Sequence, residues 1–206
     1  MSKPPKTKHK LLSLQGPTLS NSKKKVLVVA AHPDDEMLGL EGSLIKHRRN
    51  GDSVDICLMS NGRLSWIDQR FDTESQLRWT QSVERYVGDT KYDVVYTHWN
   101  QDRNKDHRIV SEAVTTALRP WLFGGSILFF ETPDGSTGFN PNYFVKLTTE
   151  EVDQKLINIA KVYPTELREY PHPRSIVGIR YLARYRGMQA GYEHAEGFEV
   201  YRMNGL

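Results

Sequence analysis

The sequence predicts an α/β fold in which helices flank an open, largely parallel sheet. Short runs of β-branched residues alternate with stretches whose apolar residues recur at helical spacing, which is typical of a parallel sheet. Polar residues follow the ends of several predicted strands. The length of 206 residues suits one domain, and a hydrophobic fraction of 38% is ordinary for a globular protein.

The first half of the chain predicts two strands and two helices. "KVLVVAA" is a buried strand, "EMLGLEGSLIKHRRNG" is a helix that ends at Asn50 and Gly51, and "SVDICLMS" is the second strand. "DTESQLRWTQSVERYVG" predicts a helix with Asp72 or Thr73 as its N-cap and Leu77 on its inward face.

The second half continues this alternation. "YDVVYTH" and "SILFFET" are predicted strands, and the helix "DHRIVSEAVTTALRP" between them stops at Pro120. "TEEVDQKLINIAKVY" predicts a helix whose start, between Thr149 and Asp153, loosely resembles a capping box. The helix "SIVGIRYLARYRGMQAG" and the strand "GFEVYRM" complete the pattern.

The N-terminal residues differ in charge from the rest of the chain. Residues 1–25 hold seven lysines and no acidic residue, which leaves 21 basic against 25 acidic residues elsewhere, so the net charge of +3 belongs to this stretch. We expect residues 1–24 to form a basic, disordered tail and residues 25–206 to form a single domain. Solubility or a cloning remnant explains the lysines better than contact with nucleic acid or a membrane.

Cysteine content and hydropathy do not favour a secreted or membrane protein. Cys57 is the only cysteine, which excludes an intrachain disulfide, and its apolar neighbours predict an inert core residue. No apolar stretch is long enough to span a bilayer, and the N-terminus lacks the apolar core of a secretory signal. We therefore expect a cytoplasmic protein with no nucleic-acid partner and no stable membrane insertion.

The residues best suited to chemistry follow the predicted strand ends. His32 follows the first strand, Asn61 the second, His98 and His107 the third, and Glu131 the fourth. Ligands of open α/β sheets bind outside the carboxyl ends of the strands. These positions therefore predict one shared site at that edge of the sheet.

Three consecutive acids in "HPDDE" are costly to place together unless a positive charge lies among them. His32 and Asp35, three residues apart at a strand-to-helix turn, can face one point, and His107 begins a helix near the end of another strand. Such a mixed set is typical of catalytic zinc, and Asp34 stays beside it as a general base. The alternative is that the acids only favour the positive end of a helix dipole and that His107 is a lone capping residue.

The motif "AHPDDE", a glycine-containing helix and the pattern D-x-N-x-D-H-R together resemble the LmbE-like, or PIG-L, family of zinc-dependent N-acetylglucosaminyl deacetylases. The resemblance continues through "FNPNYFVKL", "YPHPRS" and "AEGFEVYR" and covers nearly all of residues 25–202. It implies a Rossmann-like, LmbE-like fold and an enzyme that cleaves the N-acetyl amide of an amino sugar or a related amide on a sugar-like scaffold.

The resemblance also implies roles for individual residues. His32, Asp35 and His107 match the ligands of one Zn²⁺ ion per chain. Asp34 matches the general base, and Asp106 matches an acid that supports neighbouring groups of the site.

Asn104 departs from the family pattern. Many members have a histidine here, which is thought to polarise the amide carbonyl, whereas asparagine can donate a hydrogen bond but cannot act as an acid. His172 in "PHPRS" is the candidate replacement, and a plain turn residue between two prolines is the alternative of equal weight. Glu36, next to the ligands, is expected to hold the ring of His32.

The segment after the second strand is shorter than in the family. "LMSNG" runs almost directly into "DQRFDT", so a helix and a strand are missing by analogy, together with a substrate-facing arginine that Arg63 or Arg70 would have to replace. The sheet is then smaller, or a second subunit covers its edge, which makes a homo-oligomer possible.

Aromatic and basic residues have simpler interpretations. Trp66 and Trp99, near strand ends, are candidates for stacking on a sugar ring, whereas Trp79 is expected in the core. Arg174 and Arg186 are expected to be surface or C-terminal-helix charges rather than phosphate ligands.

The favoured function is a zinc amidohydrolase acting on a small-molecule amino sugar. One alternative is a non-catalytic family member that binds a sugar or supports an assembly. A nucleotide-binding Rossmann domain is the other, but no Gly-x-Gly-x-x-Gly motif follows the first strand.

Overall fold

The computed structural model describes residues 22–60 and 71–204. The strands of this part are β1 Lys25–Ala30, β2 Ser53–Leu58, β3 Val94–His98, β4 Ser126–Phe130, β5 Tyr143–Leu147 and β6 His194–Arg202. They form one six-stranded sheet in the order β2-β1-β3-β4-β6-β5. Strands β1 to β4 are parallel, and β6 is antiparallel to β4 and β5. The predicted α/β fold with a largely parallel sheet is confirmed.

Helices cover both faces of this sheet. They are α1 Asp35–Asn50, α2 Gln76–Val87, α3 Lys105–Ala117, α4 Thr149–Val162 and α5 Ile176–Ala190. Helices α2 and α3 enclose Leu27 and Phe129 on one face, and α1 covers Val28 and Phe130 on the other, where α4 and α5 pack against it. Alternate residues of β1 therefore enter opposite layers, which explains why the strand is apolar throughout. No helix within the two described ranges has the length and apolar character needed to cross a membrane.

The order of the strands reverses between β1 and β3. Helix α1 connects β1 to β2 on one side of β1, and the next connection, through α2, returns to β3 on the other side. A crevice opens at such a switch point, outside the carboxyl ends of the two strands. The turn 31–34 and the loop 99–104, which begin at these ends, lie beside that crevice.

Helix α2 begins later than the sequence predicted. Its N-cap is Ser75, whose hydroxyl accepts a hydrogen bond from the backbone N–H of Arg78, so neither Asp72 nor Thr73 has that role. A short 3₁₀ turn precedes it and shifts the helix along the chain. Leu77 is 64% exposed, and its predicted inward orientation was wrong.

Two elements of the second half also differ from expectation. The capping box of α4 is real but starts at Thr148, with Glu151 as its acidic partner. Strand β5 was not predicted, because an edge strand that leaves Tyr143 and Lys146 exposed lacks a continuous apolar run.

Helix α1 is broken at Leu40, where the backbone leaves the helical conformation with φ −144° and ψ 17°. The N–H groups of Gly42 and Ser43, just past the break, donate to the carboxylate of Glu196 at 2.9 and 2.6 Å. A buried anion from β6 thus binds the start of the second half of the helix, where backbone N–H groups lack helical acceptors.

The other side of the break is held by Lys155 of α4. Its Nζ donates to the carbonyl oxygen of Leu38 at 2.9 Å and lies 2.7 Å from Glu196 Oε1. Lys155 and Glu196 are both buried. We call this pair the α1 splint, because it satisfies backbone groups on both sides of the break and holds together the helix that begins with Asp35.

Candidate metal centre

The turn after β1 carries Asp34 in a backbone conformation that L residues rarely adopt, with φ 117°. Its N–H donates to Glu36 Oε2 at 3.1 Å, and Glu36 Oε1 accepts from the hydroxyl of Tyr163 at 2.9 Å. Glu36 therefore braces this turn, and the expectation that it holds His32 was wrong. Strain of this kind persists only where the surrounding structure enforces it, and it is common at functional sites.

His32, Asp35 and His107 converge on one point, with one ligand atom from each lying within 4.8 Å of the others. His32 Nδ1 is 3.2 Å from Asp35 Oδ2, and His107 Nε2 is 3.3 Å from Asp35 Oδ1. Asp35 Oδ1 is buried and has no hydrogen-bond partner among the described residues. An unsatisfied buried carboxylate oxygen between two imidazoles fits a divalent cation, because a cation would satisfy it.

The carboxylates give this point a strongly negative potential. Burial lowers the pKa of His32, but hydrogen bonds to Asp106 and Asp35 outweigh it and raise the pKa to about 9. Burial likewise opposes charge on His107, whose pKa the Asp35 and Asp102 carboxylates raise to about 10. A potential that favours protonated imidazoles also favours a metal ion, which must displace those protons to bind.

Asp102 lies behind His107. Its Oδ1 is 3.2 Å from His107 Nδ1, the nitrogen that faces away from Asp35. Ser136 Oγ and Thr132 Oγ1 donate to Asp102 Oδ2 at 2.6 and 3.1 Å. Burial opposes charge on Asp102, but His107, the Ser136 hydroxyl and the N–H of Asn104 lower its pKa to about 2. Such a carboxylate orients a metal-binding histidine. Asp102 opens the D-x-N-x-D-H-R pattern, yet sequence reasoning gave it no role.

Asp106 and Asn104 occupy the same loop. Asp106 Oδ2 is 3.1 Å from His32 Nε2, in agreement with a supporting role. Asn104 is the N-cap of α3, where its Oδ1 accepts from the backbone N–H of Asp106 at 2.9 Å. Its Nδ2 lies 3.2 Å from His107 Nε2. The side chain of Asn104 thus caps the helix that presents His107.

His98 is fully buried beneath the site. Its ring stacks on that of His107, with centroids 3.9 Å apart, and its Nε2 accepts from the N–H of Ala31 at 2.9 Å. Burial and the neighbouring charge of His107 lower its pKa to about 4, so the ring is neutral. His98 supports the ring of His107, and its bond to Ala31 depends on the pairing of β1 with β3.

Asp34 is almost completely buried, and Arg174 reaches it from the segment between α4 and α5. Arg174 Nη1 donates to Asp34 Oδ2 at 3.1 Å, and the arginine side chain is only 19% exposed. The expectation that Arg174 is a surface charge was therefore wrong. Burial and the nearby Asp35 raise the pKa of Asp34 to about 7, against the opposing effect of Arg174. A carboxyl group with such a pKa is suited to both accept and return a proton near neutral pH.

His172 lies in the turn that carries Arg174. Its Nδ1 accepts from the backbone N–H of Arg174 at 3.0 Å. Because Nδ1 is an acceptor there, the neutral ring carries its proton on Nε2. His172 is partly exposed, and this tautomer leaves Nε2–H as a donor.

Other predicted residues have structural roles. Trp99 is buried in the core, and its Nε1 donates to Glu199 at 3.0 Å, so it does not line a sugar pocket. Trp79 packs against the core as predicted. Arg186 is 6% exposed and donates to Glu131 from Nη2 and Nε, at 2.6 and 2.7 Å, which excludes a surface position.

Several expectations concern residues outside the described ranges. They are the strand-end Asn61, the pocket candidate Trp66, the substitute cations Arg63 and Arg70, and the tail up to residue 21. Each stays a prediction. Cys57 is described, is buried and unpaired, and has a pKa that burial raises to about 11, in agreement with an inert core thiol.

Comparisons with known proteins agree with the predicted resemblance. Residues 27–65, which include the turn with His32 and Asp35, match the family model described as PIG-L: GlcNAc-PI de-N-acetylase. The chain is 25% identical over 175 residues to the uncharacterized deacetylase YaiS of Escherichia coli K12, across 69% of this chain and 92% of that protein.

Solved structures share the fold. The conserved protein TT1542 from Thermus thermophilus superposes with a TM-score of 0.69 at 20% identity, over 89% of this chain and 97% of that one. The N,N'-diacetylchitobiose deacetylase from Pyrococcus horikoshii superposes with a TM-score of 0.64 at 19% identity, over 89% and 87%. The LmbE-like architecture predicted from the sequence is confirmed, and the relatives include deacetylases.

Proposed function

We propose that this chain, which its match over residues 27–65 relates to the PIG-L deacetylases, is a metal-dependent amidohydrolase that removes the N-acetyl group from an amino sugar or a sugar conjugate. The observation that carries the proposal is the convergence of His32, Asp35 and His107 around an unsatisfied Asp35 oxygen, with Asp34 beside it. The relatives named as deacetylases support the reaction type.

The ligand set suits zinc. Two imidazoles and one carboxylate are the donors that catalytic zinc sites use, and the orienting acids are present: Asp102 behind His107 and Asp106 behind His32. Bound at these three residues, a single Zn²⁺ ion per chain would supply Lewis acidity and lower the pKa of a water molecule.

Side chains of this chain carry out the proton transfers of the hydrolysis and stabilise the developing negative charge. The Asp34 carboxylate accepts a proton from the water whose oxygen attacks the acetyl carbonyl carbon. The Nε2–H of His172 donates to the oxygen of that carbonyl as negative charge develops on it. The C–N bond then breaks as protonated Asp34 gives its proton to the leaving amine, so that acetate and a free amino sugar are released.

Metal analysis and acetate release from a panel of N-acetyl sugars, including N-acetylglucosamine and N,N'-diacetylchitobiose, test the proposal. We expect about one divalent ion per chain, and His32→Ala and His107→Ala should lose most of it. His47→Ala is the matched control, because His47 is partly buried like His32, but among the described residues its ring bonds Asp52 and Tyr96 instead of the centre.

Full metal content in both ligand variants would contradict the assignment. A metal-bearing protein that binds a sugar and releases no acetate would instead support the non-catalytic alternative. A cytoplasmic location and a homo-oligomer stay predictions from the sequence.

A further inference from the structure

We propose that Arg174 is a positioning residue that fastens the segment Tyr163–Ser175 onto the turn of Asp34 and sets the geometry of both Asp34, the proton-transferring group, and His172, the hydrogen-bond donor. The proposal rests on the function proposed above, in which Asp34 is the base and His172 the donor. It concerns the connection between α4 and α5, which lies far from Asp34 in sequence.

Arg174 joins three separate parts of the chain. Its Nη1 lies 3.1 Å from Asp34 Oδ2, after β1, and 3.2 Å from Glu166 Oε2, in its own segment. Its Nε donates to Asp134 Oδ2, after β4, at 3.1 Å. Only a planar guanidinium presents separate N–H groups to several carboxylates in a fixed arrangement.

The backbone of Arg174 binds His172, the hydrogen-bond donor of the proposed reaction. Its N–H donates to His172 Nδ1, which fixes the ring and leaves the proton on Nε2. One residue thus holds the carboxylate of Asp34 through its side chain and the imidazole of His172 through its main chain.

The opposite end of the segment is attached to the same turn. Tyr163 donates to Glu36, and Glu36 accepts from the N–H of Asp34. The two attachments enclose a stretch with prolines at 164, 171 and 173 and with a backbone hydrogen bond from Ser175 to His172. Both ends of a stiff segment therefore meet at the strained Asp34.

The charges do not favour Arg174 as a receptor for a substrate phosphate. Its guanidinium faces three carboxylates, and an anionic group placed there would meet the negative charge of Asp34, Asp134 and Glu166. Its Nε and Nη1 both bind carboxylates of the protein itself, which is typical of a structural clamp.

The test compares Arg174→Gln and Arg174→Lys with Arg168→Gln. Arg168 is the matched control, because it lies in the same segment and is 46% exposed, and its contacts are local: the carbonyl oxygens of Thr165 and Leu167 and the carboxylate of Glu166 at 3.7 Å. On an N-acetyl sugar, Arg174→Gln should lower kcat about 10- to 100-fold with little change in KM or metal content, the usual effect of removing a group that orients a catalytic one. Arg174→Lys should recover part of kcat, and Arg168→Gln should match the wild type.

A readout independent of activity separates this proposal from the proposed function. Backbone amides of residues 163–175 should exchange with solvent about tenfold faster in Arg174→Gln than in the wild type or Arg168→Gln, because the segment loses its attachment. Unchanged exchange overturns the proposal even if no sugar is hydrolysed. A higher KM for a phosphate-bearing sugar with kcat unchanged also overturns it, because Arg174 would then be a substrate receptor.

Discussion

Two groups of buried charge in this molecule differ in how completely they are satisfied. In the α1 splint, Glu196 Oε1 has Gly42 N–H and Lys155 as partners, and Oε2 accepts from the N–H and the hydroxyl of Ser43. In the candidate metal centre, Asp35 is also buried, yet its Oδ1 has no hydrogen-bond partner in the described part of the chain.

The difference indicates how buried charge relates to function. A carboxylate whose every oxygen is bonded stabilises the fold and needs no ligand. A buried carboxylate oxygen that faces imidazoles and has no hydrogen bond is open to a cation, so it marks a binding site. The predictions below test whether the splint acts only on stability and the centre mainly on chemistry.

The largest effect is expected from Asp34→Asn. Turnover should fall by about 10² to 10⁴, the usual contribution of a positioned acid–base group, while metal content stays unchanged. Asp35→Asn should instead weaken metal binding. Steady-state kinetics and metal analysis of both variants check this, and the reverse pattern would show that the two roles are exchanged.

Lys155→Met should act on stability alone. It leaves the Glu196 charge buried without its counter-ion, at a cost of about 3–5 kcal/mol in the free energy of unfolding. Lys46→Met is the control, because Lys46 is partly exposed and its partner Glu151 keeps Arg49 as a second cation at 2.8 Å, so the loss should be about 1 kcal/mol or less. Urea unfolding measures both. Loss of metal from folded Lys155→Met would break the distinction between the two groups.

His172→Ala should lower turnover more than Asn104→Ala, with metal content intact in both. A donor to a developing oxyanion contributes about 2.7–4 kcal/mol, and Nε2–H of His172 is suited to that role, whereas Asn104 is engaged as a helix cap. The double variant with Asn104→His should partly rescue His172→Ala. Full activity of His172→Ala, measured by acetate release, would contradict the assignment.

Asp102→Asn should weaken metal binding by about 10- to 100-fold, because the carboxylate orients His107 without being a ligand. Competition with a chelator measures the change. Asp55→Asn is the control, since Asp55 bonds Tyr92 and lies away from the centre. If Asp102→Asn and Asp55→Asn bind the metal with equal affinity, Asp102 does not orient His107 for metal binding and has only a structural role.

The smallest effect concerns Asp52, outside both groups. Burial opposes its charge, but hydrogen bonds from His47 and from the N–H of Lys24 prevail and lower its pKa. Because the pKa is lower in the folded than in the unfolded state, Asp52 stabilises the fold at pH values above its unfolded pKa of about 3.9. This stabilisation is lost as the pH falls through the folded pKa. Asp52→Asn should therefore cost about 1 kcal/mol or less at pH 7 and progressively less below about pH 4. If the free energies of unfolding of the wild type and Asp52→Asn differ by a constant amount at every pH from about 7 to below about 4, the prediction is contradicted.

The parts of the site that were predictable depend on local spacing. His32 and Asp35 share one turn, and His107 begins the helix that follows a neighbouring strand, so strand order alone brings them together. Arg174 was misjudged because its partner Asp34 is 140 residues away and no periodicity signals that contact. Trp99 was misjudged because a strand end also borders the core.

The break in α1 has a consequence for synthesis of the chain. Gly42 emerges from the ribosome long before Glu196, which lies 154 residues later in β6. Until that strand is made, the N–H groups of Gly42 and Ser43 lack the Glu196 carboxylate that they bind in the folded protein. The second half of α1 should therefore reach its final stability only after nearly all of the chain has been translated.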